Sequence, residues 1–131
     1  MLLPITLTIA AAAALLNIWL SIRIGTIRTR EKISIGDGGH EPLIRRMRAQ
    51  ANFLENAPFM LILLAAVELA AGYHVWLSIV AVVFILGRIA HALGMDGLPG
   101  ARIFGTLTTM LTLLILAFYA IYLVYSRMGM A

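Results

Sequence analysis

The chain has 131 residues, 62% of them hydrophobic and 12% charged, with a mean hydropathy of +0.97 and a formal charge of +4. So few charges could not cover a water-soluble surface, so the composition describes an integral membrane protein with one domain over residues 1–131. There is no cysteine, which excludes disulfides and thiolate metal sites. The basic excess does not point to nucleic acid, because the arginines flank apolar spans rather than alternate with exposed aromatics.

Four apolar runs, at about 3–24, 49–71, 75–93 and 103–125, each approach the ~20 residues that cross a bilayer as a helix. Alternating strand patterns are absent and backbone groups in lipid must pair within their own segment. The predicted fold is therefore all-α, a four-transmembrane-helix bundle. The first run has no positive n-region, which favours a retained span over a cleaved signal. Its Asn17 and Ser21 read as helix–helix hydrogen-bonding groups. The following loop carries Arg28, Arg30, Glu31 and Lys32, then Gly36-Asp37-Gly38-Gly39, a turn signal without the spacing of a phosphate-binding loop. Spans two and three are joined only through Gly72-Tyr73-His74, so they form an antiparallel hairpin. In the last span Thr106, Thr108, Thr109 and Thr112 are expected to bond to helix carbonyls or across helices. Tyr119, Tyr122 and Tyr125 fit an interfacial aromatic belt.

Seven of the ten basic residues flank the first loop, and Arg88 and Arg102 flank the third. The positive-inside rule then places loops one and three in the cytoplasm and both termini outside, in a multi-pass protein.

The stretch 45–58 carries the chemistry. On a helix Arg45, Arg48, Asn52 and Glu55 share one face that runs into the second span. Arg88 and His91 share a face at the end of span three, and Arg102 opens span four, so all approach the same side of the membrane. Buried ion pairs such as Glu55 with Arg88, and snorkelling arginines, account for part of this set. A ligand site is the competing reading, because ionisable groups within a span are costly. Guanidinium forks beside a carboxylate suit a small ligand carrying both carboxylates and an ammonium, such as a peptide or amino-acid derivative. Metal binding is not expected, since His40, His74 and His91 lie on different segments. No serine and carboxylate lie at evident reach of His91 for a hydrolytic triad.

The segment Arg48-Ala49-Gln50-Ala51-Asn52-Phe53-Leu54-Glu55-Asn56-Ala57-Pro58 resembles the signature of the MAPEG family, membrane-associated proteins of eicosanoid and glutathione metabolism. Gly87-Arg88-Ile89-Ala90-His91 is similar to the third-span motif of its prostaglandin E synthase branch. Arg102 stands at the spacing of the catalytic arginine in its leukotriene synthase branch. The Gly-Asp-Gly-Gly run is similar to that of small bacterial members, and the likeness covers the whole chain.

The resemblance implies a homotrimer of four-helix bundles in the bacterial inner membrane, with glutathione held between subunits near the cytoplasmic face. It implies that Arg48, Asn52 and Glu55 hold the charged ends of glutathione, with Gln50 contributing across the subunit boundary. Arg88 would be a structural or binding arginine, His91 a ligand contact, and Arg28 the basic contribution of the first loop. Arg102 would stabilise the thiolate. The implied activity is that of a glutathione transferase, with glutathione peroxidase as a second capacity, acting on lipophilic electrophiles from the bilayer and using no metal. Met95 departs from a ligand-contacting tyrosine and Asn56 from an aromatic. These departures keep a non-catalytic glutathione binder as an alternative. A proton-coupled exporter using Glu55, with Glu68 as a second candidate, is the reading from another class.

Overall fold

The computed structural model describes residues 1–130 and contains four long helices: α1 (Pro4–Glu31), α2 (Glu41–Ala71), α3 (Val75–Met95) and α4 (Ala101–Met128). All four are long and apolar enough to cross a membrane. The helices outrun the predicted spans where polar residues continue the helical register. Thus α1 passes Ile24 to end at Glu31, and α2 starts at Glu41, two turns before Ala49.

Neighbouring helices form a ring in the order α1–α2–α4–α3, with α2 also touching α3 across the middle and no packing of α1 against α4. Met60, Leu64, Leu77, Phe84 and Leu116 fill the centre and are fully buried. Leu15, Ile62, Leu86, Leu107 and Phe118 point outward and stay exposed, the pattern of a surface meant for hydrocarbon rather than water.

The ends are held by polar contacts that sequence separation hides. Glu68, only 2% exposed near the end of α2, accepts from Ile5 N–H (2.9 Å), Thr6 N–H (2.8 Å) and the Thr6 hydroxyl (2.7 Å). The carboxylate thereby serves as the cap for the first turn of α1, whose N–H groups have no intrahelical acceptor. At the opposite end Asp96 accepts from Arg23 of α1 and from Arg46 of α2 (3.3 and 3.4 Å), and Arg46 Nη1 donates to the Arg23 carbonyl at 2.7 Å. Three helices meet on one carboxylate.

The turn expected over 36–39 is present. Gly36, Gly38 and Gly39 have positive φ, and Gly39 N–H donates to Asp37 Oδ1 at 2.8 Å. His40 then caps α2 by accepting from Leu43 N–H. In α4 the expected back-bonding holds: Thr106, Thr108, Thr109 and Thr112 donate to carbonyls three or four residues earlier. Tyr119 meets Trp76 edge to face with ring centroids 4.8 Å apart, which joins the start of α3 to the end of α4.

Candidate functional site

The loop-bearing end of the bundle gathers the residues singled out above. Offsets of four and three place Arg48, Asn52 and Glu55 on one strip of α2. Arg48 and Glu55 are exposed on this strip, and Asn52 lies half-buried between them. The Asn52 side chain is fixed from behind. Arg88, 2% exposed on α3, donates from Nη2 to Asn52 Oδ1 at 2.7 Å. Its Nη1 donates to Thr109 Oγ1 at 3.0 Å, and Nη2 also lies 3.3 Å from His91 Nδ1.

With Nδ1 accepting from a guanidinium, the neutral imidazole of His91 carries its proton on Nε2. All partners of Arg88 are neutral, and its buried Nε has none among the described residues. The Glu55–Arg88 ion pair considered from sequence does not form; Arg88 orders Asn52 instead. It thus reaches the strip through that amide.

Arg102 begins the first turn of α4 and is exposed. Its backbone is pressed against α3, where Gly94 allows contact. A Cβ on Gly94 would land on Arg102 N and lie 2.6 Å from Arg102 Cα. One turn on, a Cβ on Gly105 would lie 2.6 Å from the backbone N and the Cβ of His91. The absence of side chains at 94 and 105 therefore sets the distance between the helices carrying His91 and Arg102. Neither glycine stood out in the sequence, where each reads as an isolated small residue within or beside an apolar run.

Two further candidates are engaged within the chain. The Gln50 amide donates to Ser21 Oγ (2.7 Å) and Asn17 Oδ1 (3.2 Å), the interhelical bonding expected of Asn17 and Ser21. Arg28 donates to the Gly36 carbonyl at 2.7 Å and the Ile33 carbonyl at 3.4 Å, so it braces the first loop. Asn56 donates to the Asn52 carbonyl at 2.8 Å, close to Pro58, whose ring removes one backbone donor from α2. Glu68, the second exporter candidate, has both oxygens occupied as the α1 cap. Asp96 was not singled out from sequence, because a lone aspartate beside glycine reads as a turn.

In contrast to Arg23, Arg46, Glu68 and Arg88, the charged groups of Arg48, Glu55 and Arg102 have no partner among the described residues. Among the described residues no cluster of metal-ligating side chains occurs. The fold defines an integral membrane four-helix protein, and the strip is a run of polar residues on one outer face. The chain matches the MAPEG family over residues 6–122, nearly its whole length, and belongs to that family, which includes glutathione transferases and related proteins. A comparison with curated proteins gave no significant match.

Proposed function

We propose that the chain is a membrane-bound glutathione transferase that activates the glutathione thiolate for attack on lipophilic electrophiles. The observation that carries this reading is that three exposed charges near one end of the bundle, Arg48, Glu55 and Arg102, have no partner among the described residues. An exposed charge at the edge of a membrane span is costly unless it reaches water or a partner, and a ligand held between neighbouring copies would supply the partner here. Glutathione supplies the matching groups: two carboxylates, one ammonium and amide bonds. Arg48 binds a carboxylate in bidentate fashion, Glu55 accepts from the ammonium, and Asn52, held by Arg88, bonds an amide. A homotrimer, with loops one and three on the cytoplasmic side of a bacterial inner membrane, would enclose this strip between subunits. Gln50, Arg28 and His91 contribute as supports or secondary contacts.

The chemistry follows from charge. A free thiol is mostly protonated near neutral pH, and the thiolate is the nucleophile. The Arg102 guanidinium, in a site of lowered dielectric, stabilises the anion and lowers the thiol pKa. The electrophile partitions into the bilayer and reaches the site sideways. Sulfur bonds to the electrophilic carbon as the leaving group departs. In the peroxidase reaction it attacks a hydroperoxide oxygen, the O–O bond breaks to release the alcohol, and a second glutathione converts the resulting sulfenic acid to the disulfide and water.

Met95 offers no hydroxyl at a position one turn beyond His91, and this favours a non-catalytic glutathione binder as the second reading. Conjugation by the unaltered protein separates the two, and Arg102→Ala then tests the mechanism. A transferase keeps most glutathione affinity in this variant and loses most conjugation. Unchanged turnover would remove Arg102 from the mechanism.

A further inference from the structure

Away from this strip, α1 and α3 enclose a furrow on the outside of the bundle. Its deeper part is an apolar recess of about 350 Å³ lined by Ala12, Leu15, Leu16, Trp19, Ile85 and Ile89. Nearer the loops the same two helices, joined by the start of α2, line a second cavity of about 540 Å³. Its walls include Arg30, Glu41, Arg45, Arg46, Met95 and Asp96. Offsets of three, eight and three along α1 (Leu16, Trp19, Ile27, Arg30) and of four and seven along α3 (Ile85, Ile89, Asp96), each near a whole number of turns, place the two cavities on the same helix faces. Between them Arg23 crosses the floor. It lies under Trp19, with its guanidinium 4.6 Å from the ring centroid, and bonds to Asp96 and to the Ala92 carbonyl at 3.4 Å. Its buried Nη1 has no partner among the described residues.

We infer that this furrow holds one anionic phospholipid, with an acyl chain in the apolar recess and the phosphodiester among Arg30, Arg45 and Arg46. Length supports the assignment. From Leu15 to Arg30 the helix rises about 22 Å, and from Ile85 to Asp96 about 16 Å. One leaflet with its headgroups is about 20–22 Å deep. Charge supports it as well. Four guanidinium groups (Arg23, Arg30, Arg45 and Arg46) face three carboxylates (Glu31, Glu41 and Asp96), leaving one positive charge at the mouth, which suits a phosphodiester without an amine. The Arg45–Glu41 and Arg30–Glu31 pairs are exposed, and such pairs yield to a competing anion at little cost. Exposed arginines at this depth also lie where anionic headgroups concentrate. The furrow shares no lining residue with Arg48, Asn52 and Glu55, although Arg45 continues their face of α2 and Met95 lies one turn beyond His91, and the inference does not rest on the glutathione assignment.

The test is native mass spectrometry of the full-length protein released from detergent. Phosphatidylglycerol and phosphatidylcholine of identical chains are titrated separately, with glycerol phosphate as a soluble comparison. The expected result is one retained phosphatidylglycerol per chain, with a preference over phosphatidylcholine of about fivefold for each contributing arginine. In the double variant Arg30→Gln/Arg45→Gln the preference falls toward unity, while Ala12→Trp, which fills the recess, reduces retention of both lipids. Equal retention of the two lipids, or an unaltered preference in the double variant, would overturn the proposal. Protection from unfolding by glycerol phosphate alone would show a soluble-anion site instead. Because the chain has no cysteine, Leu15→Cys reports the remaining occupant. Efficient disulfide formation between copies would mean that a second copy covers the furrow, which also overturns it.

Discussion

Arg88 donates from Nη2 to Asn52 Oδ1 at 2.7 Å, so a buried cation on α3 sets the orientation of an amide on the exposed strip of α2. The two residues therefore act as one unit. Asn52→Ala and Arg88→Met should each weaken glutathione binding on the order of tenfold, the usual weight of a charge-assisted hydrogen bond. The double variant should be little worse than either single one, since residues in one network are not additive. Calorimetric titration in detergent measures this, and a fully additive loss would show that Arg88 contacts the ligand by itself.

Glu68 is a structural carboxylate, so its effect falls on stability. Glu68→Ala leaves the Ile5 and Thr6 N–H groups unpaired and should lower stability by about 2 kcal/mol or more. Glu68→Gln keeps one acceptor and should lose less. Glutathione affinity should be unaltered in both. Thermal unfolding beside a binding titration checks the pair, and a loss of affinity without loss of stability would return Glu68 to the functional site.

Gly94 and Gly87 both lie on α3 against α4, but they differ in what a methyl group would meet. At Gly94 the obstacle is the Arg102 backbone, which cannot rotate away; at Gly87 the nearest atom is the Thr108 hydroxyl on a side chain. Gly94→Ala should cost about 1–3 kcal/mol through overpacking, and Gly87→Ala less. Because the displaced group is Arg102, conjugation should fall further than glutathione affinity in Gly94→Ala. Equal unfolding temperatures for the two variants would contradict this ranking.

Asp96 ties α1, α2 and α3 together through Arg23 and Arg46. Breaking a fully buried pair costs ~3–5 kcal/mol. The Asp96 side chain is 32% exposed, so Asp96→Asn should cost less, about 2 kcal/mol, within the range for lost charge-assisted bonds. Unfolding of the detergent-solubilised variant measures it; no loss of stability would mean that Asp96 is not the clasp.

The membrane helices and the local polar bonding were legible because both depend on short-range patterns. Continuous apolar runs mark spans, and a threonine hydroxyl finds its acceptor within one turn, as Thr109 does on Gly105. Asn17 and Ser21 could be assigned to interhelical bonding, although their partner, Gln50, could not. The helix ends were less clear because the polar turns from Gly25 to Glu31 and from Glu41 to Arg48 carry no hydropathy signal. The cap on α1 was invisible because Glu68 lies more than sixty residues from Ile5 and Thr6. The strip on α2 was legible from spacing alone, but the division of labour behind it was not. Nothing in the order Gly87-Arg88 shows that the guanidinium turns inward to an asparagine rather than to Glu55.

The central claim is that this face binds glutathione as the thiolate. The most direct measurement is the ultraviolet difference spectrum of the purified protein titrated with glutathione, read at the thiolate absorbance band. A saturable thiolate band is expected, retained in Glu68→Gln and lost in Arg102→Ala while binding persists by calorimetry. Saturable binding with no thiolate band in the unaltered protein would contradict the catalytic reading in favour of a binder. No binding at all would contradict the assignment of the site.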